Sequence, residues 1–447
     1  RLQGGALRSA SWKSRSTALG MVLAVALGAA ACGTTNSSST TTTAGSGSST
    51  TGSGGSSSIP QSAFSDHTGV TSSSVQVANV STLSLGLFKG AQVGTQAYAD
   101  FVNSSGGVNG RKIVVNNADD GFTGAGNKQA TQNALQNDLA LVGNFSLEDS
   151  FGGAVLAQNP GFPDVSQVLD HATTNLTNVY SAVPLNDGWQ EGPIQYFKKK
   201  FPSEVKAVGS LLADSPAASQ TWAGEEYVMK KVGYNIVYQT TYPVTQTDFT
   251  QNVIAMKNAG VKILFIDQMP PNYASSVLKA LVQQNFHPQV VLGAATYSNQ
   301  LVTQSGGPAA VNGAFLSQNS SLFLGGDSTA IPAVGTFLHW VQVASPGFQP
   351  DLFTMYGWVS AELFAQALKS AGANPSRGSV LQALSKVTAF TGDNIVAPTD
   401  PANKSTSNCY LEAQVVNGGY VRVDDPPVTG STNGYRCDYS YVKKPGT

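Results

Sequence analysis

Apolar and polar positions along this chain alternate between two periods, and the alternation itself predicts the architecture. Residues 75–80 (VQVANV) form a short apolar run of strand length, and residues 90–103 then place Val93, Ala97 and Phe101 on one helical face. The segment 104–110 (SSGGVNG) ends that helix and turns the chain, since its glycines supply the left-handed conformations of a C-cap and a tight Asn-Gly turn. Residues 112–116 read as a second strand, 127–136 as a helix and 139–143 as a third strand. Such a βαβαβ start predicts a parallel sheet covered by helices. The pattern then repeats: helices over 188–201, 221–232, 248–259 and 272–284 alternate with strands over 207–212, 235–240, 261–266 and 290–293. Two successive sets predict an α/β fold with two Rossmann-like lobes, and the long helix over 353–370 is expected to return to the first.

The first 59 residues break this pattern. A basic opening (Arg8, Lys13, Arg15) precedes an apolar run over residues 20–31, and four small residues, 28–31, stand directly before Cys32. These are the features of an export signal. The GAAAC ending resembles a bacterial lipobox, which implies lipid on the Cys32 thiol and an extracytoplasmic protein anchored to the outer face of the membrane. A spanning helix needs about 20 apolar residues, more than this run offers. Ala29 departs from the large aliphatic residue usual three positions before a lipobox cysteine. Residues 33–59 are almost wholly Ser, Thr and Gly, a composition too polar to offset the entropy of ordering. As a flexible leash of about 26 residues they reach roughly 25 to 30 Å.

The cysteine count fits that compartment. With Cys32 assigned to lipid, Cys409 and Cys437 remain, and an oxidising environment permits a bridge between them, worth about 3 to 4 kcal/mol by loop entropy. The net charge of -1, with 11% charged residues, leaves no electrostatic footprint for nucleic acid. The one basic cluster, residues 198–200, reads as a solvated helix C-terminus. Enzyme motifs are missing from the sequence: it has no HExxH, GxxxxGK[ST], GxSxG or CxxC, and its four histidines are scattered. Ser276 and Lys279 make an SxxK inside a predicted helix, with no KTG to complete it. The pair Asp119 and Asp120 reads best as a strand-end loop that caps the second helix with a carboxylate. No catalysis and no cofactor are expected.

The stretch 90–120 (GAQVGTQAYADFVNSSGGVNGRKIVVNNADD) resembles the first βαβ unit of the type I periplasmic binding proteins of the leucine/isoleucine/valine class. DFTQNVIAMKNAGVKILFI (248–266) and MYGWVSAELFAQALKSAG (355–372) match further along in the same order, so the resemblance covers about residues 66–425. It implies a Venus-flytrap fold with a three-segment hinge, lobe 1 from residues 60–184 plus 320–388 and lobe 2 from 185–319 plus 389–447. It also implies a monomeric solute receptor that delivers an amino acid or related polar compound to an ABC transporter permease. A ligand-sensing receptor subunit is the main alternative, and a secreted hydrolase a weaker one.

Open α/β sheets bind ligands beyond the carboxyl ends of their strands. In lobe 1 this directs attention to loops 84–89, 144–150 and 169–171, with Phe88 as an aromatic wall and Ser146, Asp149, Ser150 and Asp170 as polar contacts. Loop 144–150 resembles the family's hydroxyl-bearing loop that holds a ligand carboxylate. In lobe 2 the loops are 214–222, 267–269 and 295–298, with Gln220, Asp267, Gln268 and Tyr297 as candidates. Here the chain departs from the family: SQTW (219–222) replaces the expected Tyr-Gly, and GAATYSNQ (293–300) holds no acid for a ligand ammonium. Asp267 is the nearby substitute. Each has a plainer role open to it: Asp267 as a helix cap, Tyr297 as hinge filling, Trp222 as core.

Overall fold

The computed structural model describes residues 59–185, 188–266, 269–423 and 434–445. Cys32, Asp267 and Gln268 lie outside them. The first sheet contains β1 (Ser74–Ser81), β2 (Lys112–Asp119), β3 (Ala140–Val142), β4 (Asp164–Val165) and β5 (Val179–Tyr180), in the order β2-β1-β3-β4-β5 and parallel throughout. Strand β1 is an interior strand between β2 and β3, and its buried Val75, Val77 and Val80 answer to the apolar run in the sequence. Around this sheet lie α1 (Lys89–Ser104), α2 (Gly124–Asn137), α3 (Asp149–Gln158) and the single turn α4 (His171–Thr174).

The chain then forms β6 (Gly188–Gln190), α5 (Glu191–Lys200), β7 (Val208–Ala213), α6 (Pro216–Val232), β8 (Ile236–Tyr242), α7 (Thr250–Asn258), β9 (Ile263–Phe265), α8 (Pro271–Gln283), β10 (Gln289–Gly293), α9 (Asn299–Gln304), α10 (Pro308–Val311) and β11 (Phe315–Gln318). After α11 (Asp327–Ala330), α12 (Pro332–Ala344), α13 (Leu352–Ser370) and α14 (Arg377–Leu384), it closes with β12 (Leu411–Val416), β13 (Gly419–Arg422) and β14 (Tyr441–Lys443). The second sheet runs β13-β12-β11-β10-β9-β7-β8, with β12 and β13 antiparallel at one edge, and β14 pairs with β6.

As expected, α13 returns to the first sheet's helices. It meets α1 so closely that a Cβ at Gly94 would strike the Thr354 carbonyl and one at Gly357 the Ala91 carbonyl. Trp358 of α13 stacks edge-on to Tyr98 of α1 at 5.0 Å, and Trp340 of α12 lies 5.9 Å from Phe101. The turn after α1 also has the predicted geometry, with Gly106, Gly107 and Gly110 at φ of 97°, 77° and 77°. One expectation fails: the second helix is capped by Thr123, whose hydroxyl accepts from the Gly126 amide, and not by a carboxylate. Asp119 and Asp120 instead tie loops together, Asp119 accepting from the Leu83 amide at 3.0 Å and Asp120 from the Phe122 amide at 2.9 Å. Ser276 lies within α8 and its hydroxyl donates to the Asn272 carbonyl, an ordinary helix-surface bond.

Between the sheets the chain passes three times, and the passages are knitted together. The Ser321 amide donates to the Ile395 carbonyl at 2.7 Å and the Ala397 amide to the Asn319 carbonyl at 2.8 Å. The Thr399 hydroxyl donates to the Ala182 carbonyl at 2.8 Å. Short extended segments cross-linked in this way form a hinge that two bodies can turn about. Beyond it, Cys409 and Cys437 are joined by a disulfide across 28 residues.

Candidate ligand-binding site

A cavity of about 210 Å³ opens where strand ends of the two sheets face each other. From the first sheet's side come Phe145 after β3, Gln167, Leu169 and His171 after β4, and Phe353 and Tyr356 from the first turns of α13. The second side supplies Gly293, Ala294 and Ala295 after β10, Ser317, Gln318 and Asn319 at the end of β11, and Thr221 and Glu225 from α6. Apolar walls complete it, among them Trp189, Ile194, Phe265 and Leu352. A mostly apolar concavity with a few convergent polar groups has the general form of a small-molecule site.

Two of those polar groups are unfinished. Gln318 is 4% exposed, and its Nε2 donates to the Ser320 and Ser321 carbonyls, both at 3.1 Å. That pairing fixes the amide orientation and leaves Oε1 as a buried acceptor without a partner. Gln167 is 3% exposed; its Oε1 accepts from the Ser181 hydroxyl at 3.0 Å, and its Nε2 is a buried donor without a partner. Unmet buried groups are costly and rare, and both of these belong to residues that line the cavity. Glu225, fully buried on α6, is the one carboxylate among the described lining residues, and none of these is Lys or Arg. Burial lowers the pKa of His171, more than the nearby Asp170 raises it, which keeps this imidazole neutral at pH 7.

The residues expected from sequence are placed as follows. Phe88 is core: its ring packs 4.7 Å from both Phe145 and Phe353, one layer behind the cavity wall. The Ser146 hydroxyl bonds to the Asp120 carboxylate and accepts from the Glu148 amide, and Ser150 is exposed at the start of α3. Asp149 accepts from the Leu169 and Asp170 amides at 2.5 and 3.2 Å, fastening α3 to the loop after β4. Asp170 caps α4, accepting from the Thr173 amide at 2.8 Å. Gln220 is exposed on α6, beside the lining residue Thr221. Tyr297 is fully buried between Phe323 and Tyr420, its hydroxyl accepting from the Leu324 amide at 2.7 Å. Trp222 is core as well. None of these is among the residues that line the main cavity.

Sequence reasoning passed over Gln167, Glu225 and Gln318. The signal for Glu225 was present: Trp222, Glu225, Met229 and Val232 recur at helical spacing, which places an acid on the buried face of α6.

A smaller cavity of about 20 Å³ lies beside Gln167 and is lined by Asp149 and Asp164. Burial raises both carboxyls from 3.8 to about 7, and Asp164 Oδ1 has no hydrogen-bond partner. Below pH 3.8 these groups are protonated whether the chain is folded or not. Between 3.8 and about 7 only the folded form keeps its protons, so their contribution to stability falls as pH rises through that window. Asp164→Asn, which keeps the shape and cannot ionise, should therefore raise stability by about 1–3 kcal/mol at pH 8. Denaturant melts at pH 8 and pH 4 check this, with little difference expected at pH 4.

Comparison with known proteins agrees with the geometry. A Leu/Ile/Val-binding protein homolog 7 from Brucella melitensis is 25% identical over 240 residues, covering 50% of this chain and 58% of that protein, so the chain spans less than two thirds of the length of such relatives. A fatty acid ABC transporter substrate-binding protein from Thermomonospora curvata superposes with a TM-score of 0.69 at 17% identity, over 85% of this chain and 97% of that one. An ABC transporter solute binding protein from R. palustris, solved in complex with benzoate, gives 0.67 at 14% identity over 83% and 98%. At such identities the two structures speak for the fold. Among the described residues no helix is long and apolar enough to cross a membrane. The family model described as periplasmic binding protein matches residues 77–420, a span that takes in strands of both sheets and all three hinge passages, and the chain belongs to that family.

Proposed function

We propose that this protein is the extracytoplasmic solute-binding component of an ABC importer, capturing a small apolar-bodied molecule between two closing lobes. The lobes are residues 60–184 with 320–388, and 185–319 with 389–447. One observation carries the reading: the cavity is lined from both sheets' strand ends, and each side supplies a glutamine, Gln167 or Gln318, that has one buried amide atom without a partner. A ligand that bonds both can do so only when the lobes are together, so binding favours the closed state by that difference in contact. The closed form then docks on its permease without covalent chemistry. Cys32 carries lipid and residues 33–59 serve as the leash, which keeps the receptor at the membrane where the permease sits. The names of similar proteins, for branched-chain amino acids, fatty acids and benzoate, share an apolar body of modest size.

A thermal-shift panel tests this on the intact protein: leucine, 4-methylpentanamide, 4-methylpentanoate, isoamylamine and benzoate. At least one member should stabilise, by about 2.7 kcal/mol at 100 times its dissociation constant. Gln167→Leu and Gln318→Leu should each weaken that ligand about tenfold, or about 1.4 kcal/mol, while the fold is kept. A panel without a single shift contradicts the reading, as does full affinity in both variants.

A further inference from the structure

Aromatic residues line the cavity from both sides. From the first sheet's side come Phe145, Phe353 and Tyr356, and the Phe145 and Tyr356 rings lie nearly parallel, 14° apart at a centroid distance of 6.1 Å. Opposite them stand Trp189 of β6 and Phe265 of β9. An aromatic ligand gains edge and face contacts with such walls that a saturated body of the same size lacks, each pair worth roughly 2- to 12-fold in affinity beyond its area. Size narrows the body further. An apolar cavity of ~150 Å³ admits benzene, so about 210 Å³ accommodates one ring with a short substituent and has no room to bury a long acyl chain.

The polar groups on these walls fit an oxygen-bearing end. Tyr356 and Trp189 are only half-buried, and neither the Tyr356 hydroxyl nor the Trp189 indole N–H has a hydrogen-bond partner among the described residues or is sealed from solvent. Both are donors, so a ligand oxygen is their complement. Resting on the solute-capture reading, we propose that this cavity selects a single-ring aromatic compound with an oxygen-bearing head group over a saturated ring of the same size. The ring lies between Phe145 and Tyr356 on one side and Trp189 on the other, and the head-group oxygen accepts from the Tyr356 hydroxyl.

The test is calorimetric titration of the full chain at pH 7 with two pairs, benzamide against cyclohexanecarboxamide and benzoate against cyclohexanecarboxylate. Within each pair only the ring differs. For the head group that binds more tightly, the aromatic member should bind at least fivefold tighter than the saturated one. Trp189→Leu, which keeps an apolar wall and loses the ring, should lower that ratio at least twofold. Tyr356→Phe keeps the ring and loses the hydroxyl, so it should weaken both members at least threefold and leave their ratio within twofold. A wild-type ratio below fivefold overturns the proposal, as does an unchanged ratio in a folded Trp189→Leu protein or unchanged affinities in Tyr356→Phe. Should Trp189→Leu fail to fold, the wild-type ratio and Tyr356→Phe decide. If none of the four compounds binds but leucine or 4-methylpentanamide does, the ring assignment falls and solute capture stands. If no compound binds, both fall.

Discussion

Phe353→Ala should destabilise the protein by about 3–5 kcal/mol and weaken ligand binding at the same time. Phe353 occupies the first turn of α13 and is 3% exposed. Its ring lies 4.7 Å from Phe88 and 4.7 Å from Phe145, which are themselves 4.7 Å apart, so the three rings form a closed triangle in tilted and edge-on contacts. Truncation to alanine removes two of the three contacts and leaves a void that the flanking backbone of α1 and α13 is too closely set to fill. Because Phe145 and Phe353 also line the ligand cavity, the void would join it. Denaturant melts and ligand titration on one preparation check both effects. A loss below about 1 kcal/mol would mean that the triangle is not the support of this wall.

Arg377→Ala should cost about 3 kcal/mol, through a different mechanism. Helix α2 ends with carbonyls that have no partner within the helix, and the Arg377 Nη2 reaches the Leu135 and Asp138 carbonyls at 2.6 and 2.7 Å. Its Nη1 pairs with Asp66 at 2.8 Å, and the guanidinium lies 4.5 Å from the Phe162 ring centroid. Burial lowers its pKa against the opposing pull of Asp66, but an arginine stays charged at neutral pH. One side chain thus joins the segment before β1, the end of α2 and the start of α14. Without it, two carbonyls lose the Arg377 donor together, and the Asp66 carboxylate keeps only the Thr68 amide. Arg377→Lys keeps the charge but not the fork, and should recover only part of the loss. Equal stability of the wild type and the alanine variant in urea would contradict this account.

Much of the fold was legible because its elements are long enough to show a period. Helices α1, α6, α8 and α13 and strands β1, β7 and β10 follow the spacing of their apolar residues to within a few positions. Strands of two residues, β4 and β5, and the four-residue turn α4 carry no period at all; pairing with neighbours defines them. Helix α12 was missed because its sequence, PAVGTFLHWVQVA, is apolar on most sides and resembles a generic buried run.

The site divides in the same way. Four of the loops chosen by the strand-end rule contribute lining residues: Phe145, Leu169 and His171, Thr221, and Ala295. The particular hydroxyls and carboxylates chosen from them are engaged elsewhere, Asp149 by the Leu169 amide, Asp170 as a cap and Ser146 by Asp120. Sequence shows that a polar residue stands at a strand end, but whether it faces ligand or backbone depends on which amides the loop leaves unpaired. Gln167 and Gln318 became recognisable only when their own partners could be counted.

Hydrogen–deuterium exchange of the full chain, with and without a saturating amount of the compound that stabilises it most among leucine, 4-methylpentanamide, 4-methylpentanoate, isoamylamine and benzoate, tests the central claim most directly. Ligand held between the two sheets should slow exchange at residues 145 and 167–171 and, in the same sample, at 293–295 and 317–319, with the hinge passages near 320 and 396 changing alongside. Protection confined to one sheet's strand ends, or none at either, would contradict capture between the lobes.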